Sequence, residues 1–132
     1  MDIIIDASSI IAVIANEPEK VKLVERTRGA NLFAPASVHW EIGNAFSAML
    51  KRDRIDLALA QQALEAYRRI PLRFIEVDLS QAIDLSAKLG IYAYDAYIIL
   101  AALDRRCELL SLDSGLIYAA KQTGIRILEI ES

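Results

Sequence analysis

A chain of 132 residues with 55% hydrophobic side chains fits one globular domain, residues 1–132, with a core large enough to fold without help. The net charge of −3, from 15 basic and 18 acidic residues, provides no overall basic field, so a polyanion would need local Arg/Lys patches or bound metal. A single cysteine, Cys107, excludes an internal disulfide and a cysteine-based metal site, and His39, the only histidine, has no context of a thiol enzyme around it.

The chain opens on Ile3-Ile4-Ile5, a β-branched run too short for a helix, which reads as a strand buried on both faces as in a parallel sheet. It runs into Asp6, with Ser8 or Ser9 placed to cap a helix over 10–14. Asp6 then lies at the carboxyl end of a central strand, where open α/β sheets bind ligands, unless it is only turn chemistry that ends the strand. Pro18 starts a short helix carrying Val21, Leu23 and Val24, which Gly29 ends. A strand over 32–34 precedes Pro35, and Ser37 is expected to cap a helix over 38–52. Val38, Ile42, Ala45, Phe46, Met49 and Leu50 form its buried face, with Glu41 and Asn44 beside it.

Asp56 is placed to cap a helix over 57–69 that stops before Pro71. A third strand is expected over 74–77, then Asp78 as cap of a helix over 79–89 stopped by Gly90. Asp95 opens an almost wholly apolar helix over 96–103, which must be covered on most sides. A fourth strand over 109–112 delivers Asp113, repeating the strand-then-acid design of Ile5-Asp6, and Cys107 packs as a small hydrophobe just before it. A helix over 116–122 and a last strand over 125–128 complete an alternation that predicts a three-layer α/β/α sandwich on a parallel sheet. Uncharged stretches such as 96–103 are too short to cross a bilayer, and Asp2 and Asp6 stand where a signal peptide carries basic residues. A cytoplasmic protein with no membrane association is the expectation.

Four acids stand in apolar settings: Asp6, Glu41, Asp95 and Asp113. Asp113 and Asp95 could simply serve helix N-termini; Glu41, between Trp40 and Ile42, is harder to explain as surface. Carboxylates brought together repel by roughly 4 kcal/mol per close pair at the effective dielectric of a protein edge, which a divalent cation would offset. All-oxygen donors select a hard ion, Mg²⁺ or Mn²⁺, over zinc.

In this order, Ile4-Ile5-Asp6-x-Ser8, Glu41-Ile42-Gly43-Asn44-Ala45, Asp95-Ala96 and Leu110-Ser111-Leu112-Asp113 resemble the PIN-domain nucleases, and within them the toxin subunits of bacterial and archaeal VapBC toxin–antitoxin pairs. The resemblance covers essentially the whole chain. It implies a sheet ordered 3-2-1-4-5, an acidic pocket binding Mg²⁺ or Mn²⁺, and metal-dependent hydrolysis of RNA phosphodiesters. Asp6, Glu41, Asp95 and Asp113 match the family's acids, directly or through water the metal's ligands. Ser8, Asn44 and Ser111 match the polar residues that orient acids or waters. A homodimer and a cognate antitoxin, its tail covering the acidic pocket, are the implied partners.

Lys51, Arg52, Arg54, Arg68, Arg69 and Arg73 offer cations for substrate phosphates, or form a solvated helix face. His39 and Trp40 could stack on a base, although partial burial is expected of Trp40. A non-toxin PIN-fold protein that processes or binds RNA is the alternative function. A phosphoacceptor receiver domain fits less well, because Asp6 is followed by Ala7 and Ser8 where that fold needs an acid pair.

Overall fold

The computed structural model describes residues 1–130. The elements alternate as β1 (Asp2–Ile5), α1 (Ala7–Ile14), α2 (Lys20–Thr27), β2 (Asn31–Pro35), α3 (Ser37–Lys51), α4 (Leu57–Arg68), β3 (Leu72–Ile75), α5 (Leu79–Leu89), α6 (Ala93–Arg105), β4 (Glu108–Leu110) and α7 (Ser114–Gln122). The sheet is parallel, ordered β3-β2-β1-β4. As the central strand, β1 buries Ile3, Ile4 and Ile5 on both faces, which is why its sequence does not alternate.

The fifth position of the expected order is filled by residues 125–128. They hold to β4 through one parallel bridge, Leu109 to Ile127, with Leu109 N–H donating to Arg126 O at 3.1 Å and Leu128 N–H to Leu109 O at 2.8 Å. Pairing goes no further, so this segment is a bridge and not a full strand. The helices form two packed groups. In one, α1 lies against α2, α3 and α4; in the other, α5 lies against α6, which runs along β1 and β2. The apolar α6 buries Ala96, Ile98, Ile99, Leu100, Ala101 and Ala102, the coverage its composition demands. Among the described residues no helix is long and apolar enough to cross a membrane.

Caps set most boundaries. Asp56 accepts from Leu59 N–H, Asp78 from Gln81 N–H, and Gly90 closes α5 in the left-handed conformation at φ 67°. Two expected caps are different. Asp6 itself, not Ser8 or Ser9, caps α1, because its extended backbone aims the carboxylate at Ser9 N–H while both serines already lie inside the helix. Ser37 does not cap α3; it is the first helical residue, its Oγ is buried without a partner, and Ala36 holds the N-cap position with no side-chain bond to give. Three elements are displaced. The third strand sits two residues early, at Leu72–Ile75, paired with β2 in register. The fourth stops at Leu110, because Leu112 and Asp113 N–H turn to the hydroxyls of Ser8 and Ser111. Finally, α6 starts at Ala93 after the extended Tyr92, so Asp95 lies within its first turn and does not precede it.

Candidate active site

The carboxyl ends of β1 and β4 meet, and the two acids that follow them are held by one hydroxyl network. Asp6 is 5% exposed, and its Oδ1 accepts from Ser9 N–H at 3.1 Å. Ser8 Oγ lies 2.9 and 2.8 Å from Oδ1 and Oδ2, and Ser111 Oγ donates to Oδ2 at 2.6 Å. The two hydroxyls also join the strand ends: Ser8 Oγ accepts from Leu112 N–H at 3.0 Å, and Ser111 Oγ from Asp113 N–H at 3.0 Å. Thus Ser8 and Ser111 each touch Asp6 and fix the turn that presents Asp113. The motif spacing did not single out Ser9, which is fully buried and donates its Oγ to Leu110 O at 3.4 Å. Its signal was only a second small hydroxyl after Ser8.

Glu41 enters from the first turns of α3 and Asp95 from the first turn of α6, both half-buried. Asp113 caps α7, its Oδ1 accepting from Gly115 N–H at 2.9 Å and Leu116 N–H at 3.2 Å. Its Oδ2 makes no hydrogen bond among the described residues. Burial, then the charges of Asp6 and Asp95, push the Glu41 carboxyl up to about 7. Burial, then Asp113 and Asp6, raises Asp95 as well. Burial also raises Asp6 despite the hydroxyls that favour its charged form. Glu41 therefore lies in the field of Asp6 and Asp95, and Asp95 in that of Asp113 and Asp6. Asn44 lies one turn on from Glu41, exposed, and bonds to none of the acids among the described residues.

Among the described residues no basic side chain is ion-paired with these acids. The ion pairs among the described residues join Arg28 to Glu25, Arg68 to Glu65 and Arg105 to Asp2, all elsewhere. Arg73 lies over the Phe33 ring, and Lys51, Arg52 and Arg54 are exposed. Nor do three of the acids close on one point, since no ready-made group of three metal-binding side chains occurs among the described residues. The donor set nonetheless fits a hard divalent cation. It is oxygen only and it gathers several carboxylates, of which burial and the neighbouring acids push those of Glu41 and Asp95 above the usual carboxylate range.

Alongside Glu41 runs a groove of about 750 Å³, lined by Trp40, Gly43, Asn44, Ser47 and Ala48 of α3 and by Tyr94 of α6. The expected partial burial of Trp40 does not hold: it is 71% exposed, because α3 turns its core face through Val38, Ile42 and Phe46 and leaves Trp40 on the opposite side.

The chain matches the PIN domain family over residues 3–122. It is 31% identical over 113 residues to VapC ribonuclease Mb0985 of Mycobacterium bovis and to ribonuclease VapC9 of Mycobacterium tuberculosis, spanning 84% of this chain and 85% of each relative. Among solved structures, PAE2754 from Pyrobaculum aerophilum has a TM-score of 0.74 at 21% identity, covering 97% of this chain and 92% of that one. VapBC2 from Rickettsia felis, bound to a DNA fragment from its promoter, gives 0.68 at 13% identity, covering 99% and 100%.

Proposed function

The chain belongs to the PIN-domain family, among its VapC ribonucleases, and on that premise we propose that it is a divalent-metal-dependent endoribonuclease, the toxin of a type II toxin–antitoxin pair. What supports the reading is that Glu41 lies in the field of Asp6 and Asp95, and Asp95 in that of Asp113 and Asp6, near the carboxyl ends of β1 and β4, with none of the ion pairs among the described residues involving these acids. Mg²⁺ or Mn²⁺ would be held by Asp6 and Asp95, with Glu41 and Asp113 binding directly or through water. When bound, such an ion supplies Lewis acidity, which offsets charge on the phosphoryl oxygens and acidifies water.

The protein's own part is orientation. Ser8, Ser9 and Ser111 bond to the two carboxylate oxygens of Asp6 and so hold it in one rotamer. Asp113 commits Oδ1 to α7 and leaves Oδ2 available. Asn44 lines the groove beside Glu41, where its amide can order a water or a ribose hydroxyl.

The partners follow from the same reading. An antitoxin segment would cover the acidic site with a basic side chain in place of the metal's charge. A homodimer would bury apolar helical surface such as Leu57, Leu59, Leu79 and Ile83, and the cytoplasm would be the place of action. Purified protein is expected to cut RNA with Mg²⁺ or Mn²⁺, to stop in EDTA, and to lose activity on Asp6→Asn. Cleavage that persists in EDTA, or at the wild-type rate in that variant, overturns the proposal.

A further inference from the structure

At the amino end of β4, the opposite end from the acids, two arginines line one pocket. It has a volume of about 240 Å³, and Arg106, Cys107 and Arg126 line it together with the apolar side chains of Ala102, Leu103 and Ile125. Cys107 stands four residues before Ser111, so about 13 Å of strand separates this pocket from the acidic site.

The chain makes no internal use of either guanidinium. Arg106 and Arg126 side chains form no hydrogen bond and no ion pair among the described residues, whereas Arg26 donates Nε to Glu129 O at 3.1 Å, Arg28 and Arg68 pair with Glu25 and Glu65, and Arg105 pairs with Asp2. Two like charges on one partly apolar pocket repel each other, and a bound anion removes that cost.

Arg106 also holds its place against backbone preference. It ends α6 in the left-handed conformation, at φ 54° and ψ 47°, where helices most often place glycine. The α6 dipole does not require it, because Arg105 already supplies a cation in the last turn. What glycine would lack at this position is the guanidinium on the pocket wall.

The surroundings suit an anion. Burial, then the charge of Asp2, pushes the Cys107 thiol up, so it stays neutral. Asp2 is held by Arg105 at 3.3 Å, and Glu108, the nearest acid in the chain, does not line the pocket. Paired guanidinium forks match the oxygens of phosphate.

We propose that Arg106 and Arg126 form a phosphate-binding pocket, separate from the acidic site, that takes a phosphate group of a free nucleotide or of an RNA backbone. The pocket is smaller than sites that enclose a drug-sized ligand, which suits one phosphate with its sugar at the mouth. The proposal stands independently of the ribonuclease reading.

The full chain, stripped of metal, is titrated calorimetrically with inorganic phosphate, AMP and a short oligoribonucleotide. Saturable binding of at least one of them is expected, with Kd below about 10 mM. Arg106→Gly and Arg126→Ala are each expected to weaken it roughly tenfold or more. Arg106→Gly is also expected to melt above wild type, because glycine accepts the left-handed backbone without strain. Cleavage of RNA in Mn²⁺ then identifies the source of the phosphate. A raised KM with unchanged kcat in both variants assigns an RNA backbone, and an unchanged KM assigns a free nucleotide. No saturable binding of any probe, or equal binding in wild type and both variants, overturns the pocket and leaves the nuclease reading standing. Binding that chloride abolishes as readily as it competes with phosphate means an adventitious ion only, and also overturns it. Phosphate binding that the two variants lose, in a protein that cleaves no RNA in any metal, supports the pocket and overturns the nuclease reading.

Discussion

Asp6 serves two ends at once: it caps α1 through Ser9 N–H, and it is the most buried acid of the site. Its other support comes from Ser111, 105 positions away in the chain. Ser111→Ala removes a 2.6 Å bond to a buried carboxylate and the acceptor for Asp113 N–H together. A loss of about 1–3 kcal/mol in stability follows from an uncompensated charged hydrogen bond. A roughly tenfold or larger fall in metal affinity is expected as Asp6 and Asp113 lose their orientation. Denaturant titration and Mn²⁺ binding check the two effects separately.

Glu41 gives the site its pH dependence. Its carboxyl titrates near 4.5 unfolded and about 7 folded, so between those values the folded state holds the proton that the unfolded state has lost. Metal-free stability is therefore fully present below about pH 4.5 and falls as pH rises toward about 7. Thermal melts in EDTA should show this decline, and Glu41→Gln should flatten it. A cation entering the site displaces the same proton, so Mn²⁺ affinity should rise across that window. Melts that do not change from pH 5 to 7.5 in wild type would refute the assignment.

At the scale of elements, caps were the most legible signal, because an Asp before an apolar period has one common use. Asp56 and Asp78 both serve it, and the exposed Asp78→Ala should cost about 1 kcal/mol without touching activity. Ser37 shows the limit. It has a cap residue's identity, but the chain enters α3 already helical at Ala36, and backbone entry angle is a tertiary property. Ser37→Ala should thus be neutral or slightly stabilising, since it removes a buried hydroxyl with no partner. The shift of α6 to Ala93 has a similar cause. The apolar run begins at Ala96, but Tyr92 supplies the extended residue that starts the helix. The acids themselves were legible because buried strands and helices leave a carboxylate little reason to be there. The exposure of Trp40 was not, because it depends on which side of α3 the core lies.

At the scale of the whole molecule, Asp6 and Asp113 follow the carboxyl ends of β1 and β4, and with Glu41 and Asp95 in the field of neighbouring acids metal-free stability carries repulsion between them. Asp95 is the cleanest place to measure it. Its position in the first turn of α6 favours a negative charge by about 0.3–1 kcal/mol, yet burial, Asp113 and Asp6 together still hold its carboxyl above the usual carboxylate range. The unfavourable influences are therefore the larger. Asp95→Asn keeps shape and polarity while removing the charge, so in EDTA at neutral pH it should melt above wild type by on the order of 1 kcal/mol, roughly 3–5 °C for a domain of this size. Added Mn²⁺ should reverse the order, because an ion stabilises in proportion to its affinity and the variant has lost a ligand. Asp113→Asn provides the contrast. Asn caps a helix as well as Asp, so α7 is unaffected and only the repulsion and the Mn²⁺ response should change, whereas Asp113→Ala should also lose about 1 kcal/mol of capping in EDTA. If Asp95→Asn melts at or below wild type in EDTA and gains as much from Mn²⁺, then Asp95 serves only its helix and the acids do not form one site.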